Sequence, residues 1–372
     1  MVRLFPTNFC APTDNRRVLG LLNIREHFSA KKMRTAKMPF TKRSELFVGK
    51  PGKITVRGRV DDVIDEMIIE RKRFLVLERL GRKDIFRVFD PSAGFQGDYR
   101  VVHLLARSRE VEQQIEILRR LADKNLHFPK ILDCSRQDDK IAVVTTWIWG
   151  NNLRQFLTEI RERKHSRPST REIVRLINKL AHGLSYLHVK ANVVHGDVKP
   201  ANIVLEKDPT RLVLIDFGSA WPAERARKKS PGDGVSAPYA APELFGEGSV
   251  DFRADIFSLS VVLYELLTLE IPFDGAGGQA GLPENRTAFS GKYRPPSELL
   301  PDAHLLPGGA TRALDEFLRR GLALDPKERF SNKSDWLNAA DQLLSDFREG
   351  TRLGFFGRAF LDLLDRFTGR KK

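Results

Sequence analysis

"VVHGDVKPANIVLEKDPTRLVLIDFGSAW", residues 193–221, sets His195, Asp197, Lys199, Asn202 and Asp216 among apolar runs that read as strands. A carboxylate, an amine and a carboxamide fall within six residues, and a second carboxylate precedes Phe-Gly. This grouping suits phosphoryl transfer from a nucleotide. Such a reaction needs a group to orient the attacking hydroxyl, a cation for the moving phosphoryl group and hard oxygen ligands for Mg²⁺.

The chain around this stretch has 372 residues, enough for one large domain or two ordinary ones, and is 41% hydrophobic. Cys10 and Cys134 lie far apart without metal-ligand spacing, which predicts a reducing, cytoplasmic setting. The longest apolar run, 257–273, is broken by Glu265 and Glu270, so it predicts a buried helix and no transmembrane segment. The net charge is +15, and residues 1–60 hold 14 Lys/Arg against 3 Asp/Glu. The excess therefore belongs to a basic N-terminal arm, residues 1–52. An anionic surface, membrane or nucleic acid, is one partner for it; a solvated tail and a transit peptide are the other readings. Met33 and Met38 leave a downstream start open.

Patterning begins near Lys53. Strands are predicted at 73–81, 84–90 and 99–105, a helix at 108–122, and strands within 128–134 and 140–147. From Asn151 helices dominate. Ser169 and Glu172 form a capping box ahead of a long apolar face through Leu187. Further helices are predicted at 252–269, 311–322 and 335–347, with a Gly- and Pro-rich loop over 274–310. The fold class is α+β: a small sheet-rich lobe at about 73–146 and a larger helical lobe at about 151–347.

The opening stretch resembles the protein-kinase family. "HGDVKPAN" is similar to the catalytic loop, which makes Asp197 the acceptor of the substrate hydroxyl's proton and Lys199 the cation for the phosphoryl group. The resemblance gives Asn202 and the Asp216 of "DFG" as Mg²⁺ and nucleotide ligands. "SAPYAAPE" (236–243) resembles the end of an activation segment, with Ser236 in the slot typical of Ser/Thr-directed kinases. "DFRADIFSLSVVLYELLTLEIPF" (251–273) resembles the family's central helix, where Asp255 holds the catalytic-loop backbone. "LDPKERF" (324–330) supplies Arg329 as partner of Glu243. His195 is structural in this reading. The resemblance covers about residues 73–347 within a domain of 53–347, and it implies ATP, Mg²⁺ and a protein substrate.

The small lobe departs from the pattern. The glycine-rich loop reads "GRKDIFRV" (81–88), keeping Gly81 and Val88 while Lys83 and Phe86 replace two glycines. The strand lysine's slot falls on His103, and the helix glutamate aligns with Gln114. Lys83, on the loop that covers the phosphates, is the candidate replacement cation. The resemblance counts Gly81, Val88 and Val101 among the nucleotide-binding residues, the two valines facing adenine. "VVTTWIWGNNL" (143–153) resembles the hinge, with Thr145 as gatekeeper and Thr146 to Ile148 offering backbone groups to adenine. Gly196 stands where an arginine commonly precedes the catalytic Asp.

The resulting reading is an ATP- and Mg²⁺-dependent Ser/Thr protein kinase. A pseudokinase used for binding or scaffolding is the alternative, and a small-molecule kinase is the rival enzyme class. Residues 348–372 form an amphipathic basic tail that either docks on the large lobe or lies on a membrane surface.

Overall fold

The computed structural model describes residues 52–349 except 57, 82, 83, 123, 124, 138, 208, 209, 224–236 and 247–249. The basic arm up to residue 51, Lys83, Ser236 and the tail from 350 therefore lie outside the described residues. The chain forms two compact units. One runs to Trp147 but leaves out Asn125–Phe128; the other takes that short segment and continues from Ile148.

The first unit opens with a separate hairpin, β1 (Lys53–Val56) and β2 (Arg59–Asp62). Next come β3 (Asp65–Ile69), β4 (Lys72–Arg79), β5 (Ile85–Asp90) and β6 (Asp98–Ala106). Helix α1 (Arg109–Ala122), β7 (Ile131–Gln137) and β8 (Lys140–Thr146) complete the unit. β3 to β8 form one antiparallel sheet in the order β3-β4-β5-β6-β8-β7. The strands predicted from residue 73 onward are present, and β3 lies upstream of them. Its sequence DEMII starts with two acids, so no alternation announces it.

Register decides what each face carries, because successive side chains point to opposite sides. β5 and β6 pair Phe89 with Tyr99, Arg87 with Val101 and Ile85 with His103. Those residues share a face with Thr145 and Val143 of β8. On the opposite face Phe74, Val76, Phe86, Val88, Val102, Ala142 and Val144 form a buried cluster with Met67 and Ile69. Each large apolar side chain buried there contributes about 1.5–3 kcal/mol. The His103 face is covered at two places. Val56 and Val63 pack with Leu75, Leu77, Phe89 and Tyr99, while Ile115 of α1 packs with Ile141, Val143 and Cys134. Ile85, Val101, His103 and Thr145 remain only partly buried.

In the second unit β9 (Gly150–Asn152) leads into α2 (Leu153–Arg161) through an Asn152/Gln155 capping box. α3 (Thr170–Tyr186) starts at the predicted Ser169/Glu172 box and runs into a π-helical turn at Leu187–Ala191. β10 (Val193–Val194), β11 (Ile203–Lys207), β12 (Thr210–Leu214) and β13 (Trp221–Pro222) follow. β12, β11 and β9 form one sheet, and β10 pairs with β13. α4 (Arg253–Thr268) is buried from Ala254 to Thr268. Its Ser258, Ser260 and Thr268 hydroxyls donate to carbonyls one turn back, so no polar group there is stranded. α5 (Gly308–Gly321) begins three residues before the predicted start, and α6 (Lys333–Glu349) closes the unit. Over 274–310 the chain holds short 3₁₀ turns at Gly277–Gly281, Pro296–Glu298 and Ala303–Leu305, as the Gly/Pro content requires.

Candidate active site

The opening stretch is built on one buried carboxylate. Asp255, in the first turn of α4, is fully buried and accepts the amides of His195 and Gly196, each at 2.7 Å. His188 Nε2 lies 2.8 Å from the same carboxylate. Burial alone would raise the Asp255 pKa, but the His188 contact, the nearby His195 and the Gly196 amide hold it below the ordinary carboxylate value. The rings of Phe252 and Trp336 flank His188, and Lys333 Nζ donates to its carbonyl at 2.7 Å. A buried charge with this many partners fixes the backbone it touches.

Asp197 leaves this anchored backbone with its amide donating to His195 Nδ1 at 3.3 Å. Lys199 Nζ donates to Asp197 Oδ2 at 2.8 Å. Asn202 Nδ2 donates to the same oxygen at 3.0 Å and to the Asp197 carbonyl at 2.9 Å. Pro200 opens the 3₁₀ turn that carries Asn202, since its fixed φ suits a first helical position. Asp197 Oδ1 carries no hydrogen bond to any described residue. One oxygen is thus held by two donors while the other is left open.

The β11–β12 register, Ile203 opposite Leu214, brings Asn202 and Asp216 to the same end of a hairpin. Ile215 N–H donates to the Asn202 carbonyl at 2.8 Å. Asp216 sits in the left-handed region at φ 62°, an uncommon conformation for a residue with a side chain, and its carboxylate accepts from Gly218 N–H at 3.2 Å. Phe217 packs edge-on against His195 and Phe128. Asn202 spends its side-chain amide hydrogens on Asp197, which leaves its Oδ1 free of those bonds at the hairpin end that also carries Asp216. An amide oxygen and a carboxylate are the hard donors that suit Mg²⁺ bound together with phosphates.

The structural pair is present. Arg329 forms a two-pronged ion pair with Glu243, and its remaining donors go to the carbonyls of Ala323 and Arg253. Its guanidinium also stacks over Phe257, 4.8 Å from the ring centre.

In the first unit, Gly81 has φ +73°, a conformation that favours glycine. Val88 and Val101, both expected to face adenine, lie on opposite faces of the sheet, so one face cannot present both. Val88 is fully buried in the far cluster; Ile85 shares the Val101–His103 face instead. Thr146 N–H donates to Lys130 O at 3.0 Å, which takes that donor, one of its two backbone groups, from the set offered to a base. Ile148 falls in the second unit. Glu112 of α1 pairs with Arg107 and Arg136, while the Gln114 side chain lies outside the described residues. The sequence reading missed His188, whose signal is a lone histidine in an apolar helical stripe. It also missed Asp61, which accepts from Arg87 and Tyr99.

Residues 102–345 match the family model described as protein kinase domain. The chain is 33% identical over 193 residues to human ribosomal protein S6 kinase alpha-4, covering 50% of this chain and 24% of that protein. It is 34% identical over 176 residues to the Mycobacterium bovis serine/threonine-protein kinase PknH, covering 46% and 27%. The chain thus spans about a quarter of the length of these curated relatives. Among solved structures, the Cydia pomonella granulovirus kinase PK-1 superposes with a TM-score of 0.54 at 20% identity, covering 72% of this chain and 93% of that one. At that identity the likeness is one of fold, and it matches the α+β kinase architecture read from the sequence.

Proposed function

The chain belongs to the protein kinase family, and on that premise we propose that it transfers the γ-phosphoryl group of ATP to a serine or threonine hydroxyl of a protein. The observation that carries this reading is the Asp197 carboxylate, held through Oδ2 by Lys199 and Asn202 with Oδ1 left open. Asp197 Oδ1 orients the substrate hydroxyl and takes its proton as the hydroxyl oxygen attacks the γ-phosphorus. Lys199, 2.8 Å from Asp197, is close enough to serve both the carboxylate and the charge that develops on the transferring group. Asn202 and Asp216 would hold Mg²⁺, which when bound neutralises phosphate charge. Asp255 helps hold the loop in place for this work through its contacts to the His195 and Gly196 amides.

Asp197→Asn is expected to abolish transfer while leaving the melting temperature and ATP·Mg affinity close to wild type. Radiolabelled phosphate transfer together with a nucleotide titration checks both halves. Undiminished transfer in that variant would sink the assignment.

A pseudokinase is the second reading, favoured by His103 in the strand-lysine slot and by the divided Val88 and Val101. A wild type that fails to bind ATP·Mg at millimolar concentration would select it. Cytoplasmic residence, and contact of the basic arm or tail with an anionic surface, belong to the same proposal.

A further inference from the structure

At residue 196 the chain turns through the left-handed region, φ +70°, and an indole fills the space a side chain would need. A Cβ on Gly196 would stand 1.9 Å from Cζ3 and 2.5 Å from Cη2 of Trp221. Backbone conformation and sterics therefore both demand glycine here. The indole is itself fixed. Trp221 is buried and pairs with Val194, Pro222 pairs with Val193, and Ala223 N–H donates to the Asn192 carbonyl at 2.8 Å. The same Gly196 gives its amide to Asp255, and the next residue is Asp197.

Resting on the phosphoryl-transfer reading, we propose that Trp221 is a positioning residue for Asp197. Its ring, seated on Gly196, works with Asp255 to fix the peptide from which the Asp197 carboxylate projects. Glycine has the widest conformational range of any residue. Without the ring, the peptide between His195 and Asp197 has room to rotate, and Asp197 loses its set direction. A displacement of about 1 Å at a reacting group costs on the order of a hundredfold in rate. Nucleotide affinity should barely change, because the ring acts on the proton acceptor.

The test uses the full chain as wild type, Trp221→Leu, Trp221→Phe, Gly196→Ala and the double variant Gly196→Ala/Trp221→Leu. The measurements are kcat, KM for ATP, and hydrogen exchange at the His195 and Gly196 amides. Trp221→Leu should lower kcat about 10- to 100-fold, hold KM for ATP within about twofold, and speed exchange at those two amides. Trp221→Phe, which keeps a ring, should fall less. Gly196→Ala should be worse alone than with Trp221→Leu, because the smaller side chain vacates the contested space. Wild-type kcat and exchange in Trp221→Leu would overturn the proposal. So would a double variant no better than Gly196→Ala, or faster exchange spread evenly over the protein. If the wild type transfers no phosphate, the phosphoryl-transfer reading fails. Exchange at His195 and Gly196 then still decides whether Trp221 holds the loop, and unchanged exchange overturns it.

Discussion

Asp197 and Asp255 are the same residue type put to opposite uses by their surroundings. Asp255 is sealed in α4 and spends its oxygens on backbone amides and His188, whereas Asp197 keeps one oxygen open. The cation that would face the nucleotide from the small unit is a question at the same scale. Lys83→Ala is expected to lower phosphorylation by about one to two decades, equivalent to about 1.5–3 kcal/mol for one charge-assisted contact to phosphate. His103→Ala should be mild by comparison. Steady-state kinetics of the two variants checks this, and activity that survives Lys83→Ala would assign the cation elsewhere. The grouping of Asp197, Lys199 and Asn202 was legible in the sequence because the kinase-like motif sets residue type and spacing within one stretch. His188 was not, because its partner is 67 residues away and its own neighbourhood reads as plain apolar helix.

The β1–β2 hairpin shows what strand pattern alone hides. "RVDD" reads as solvent-facing loop, yet Asp61 is buried, with Arg87 Nη2 at 3.0 Å and Tyr99 OH at 2.7 Å. The divided Val88 and Val101 are a failure of the same kind: spacing within one strand does not say which residue of the next it faces. That depends on register, and a one-residue slip exchanges the faces. The hairpin's lock has a pH signature. Burial pushes the Asp61 carboxyl up, but the Tyr99 hydrogen bond and the charges of Arg87 and Arg59 leave it below its ordinary value. Its folded pKa is thus below its unfolded one, so its stabilisation is present above about pH 4 and is lost as pH falls through the depressed value. Tyr99 is displaced the other way, pushed up to about 12 by burial and by Asp61. Its stabilisation is complete below about pH 10 and is lost as pH rises through the folded value. At neutral pH Asp61→Asn should melt below wild type, and the gap should close as the pH drops below about 4. Paired thermal melts across pH check this; a gap that persists in acid would assign the loss to shape rather than charge.

Across the whole molecule, order matters more than any single motif. The kinase-like segments follow one another correctly from Asp197 to Arg329, and the family match spans 102–345. The chain before residue 102 forms most of the sheet without a recognisable glycine-rich motif, so that part was legible as strands but not as a site. Long-range order also concentrates at Arg329, which joins Glu243, Ala323 and Arg253 from three parts of the second unit. Arg329→Ala is expected to cost about 3–5 kcal/mol, because Glu243 and two carbonyls lose a buried partner. Denaturant titration measures it; a loss under about 1 kcal/mol would mean that the pair is matched by water.

One small segment sets a timetable for the growing chain. Asn125–Phe128 belongs to the second unit although both its flanks belong to the first. His127 Nδ1 meets the Leu212 carbonyl at 2.8 Å, and Phe128 packs on Phe217. During vectorial synthesis these two side chains leave the ribosome more than eighty residues ahead of their partners. At roughly 5–20 residues per second that is a wait of several seconds. Through that interval Phe128 lacks its Phe217 partner, which arrives only once "DFG" has emerged.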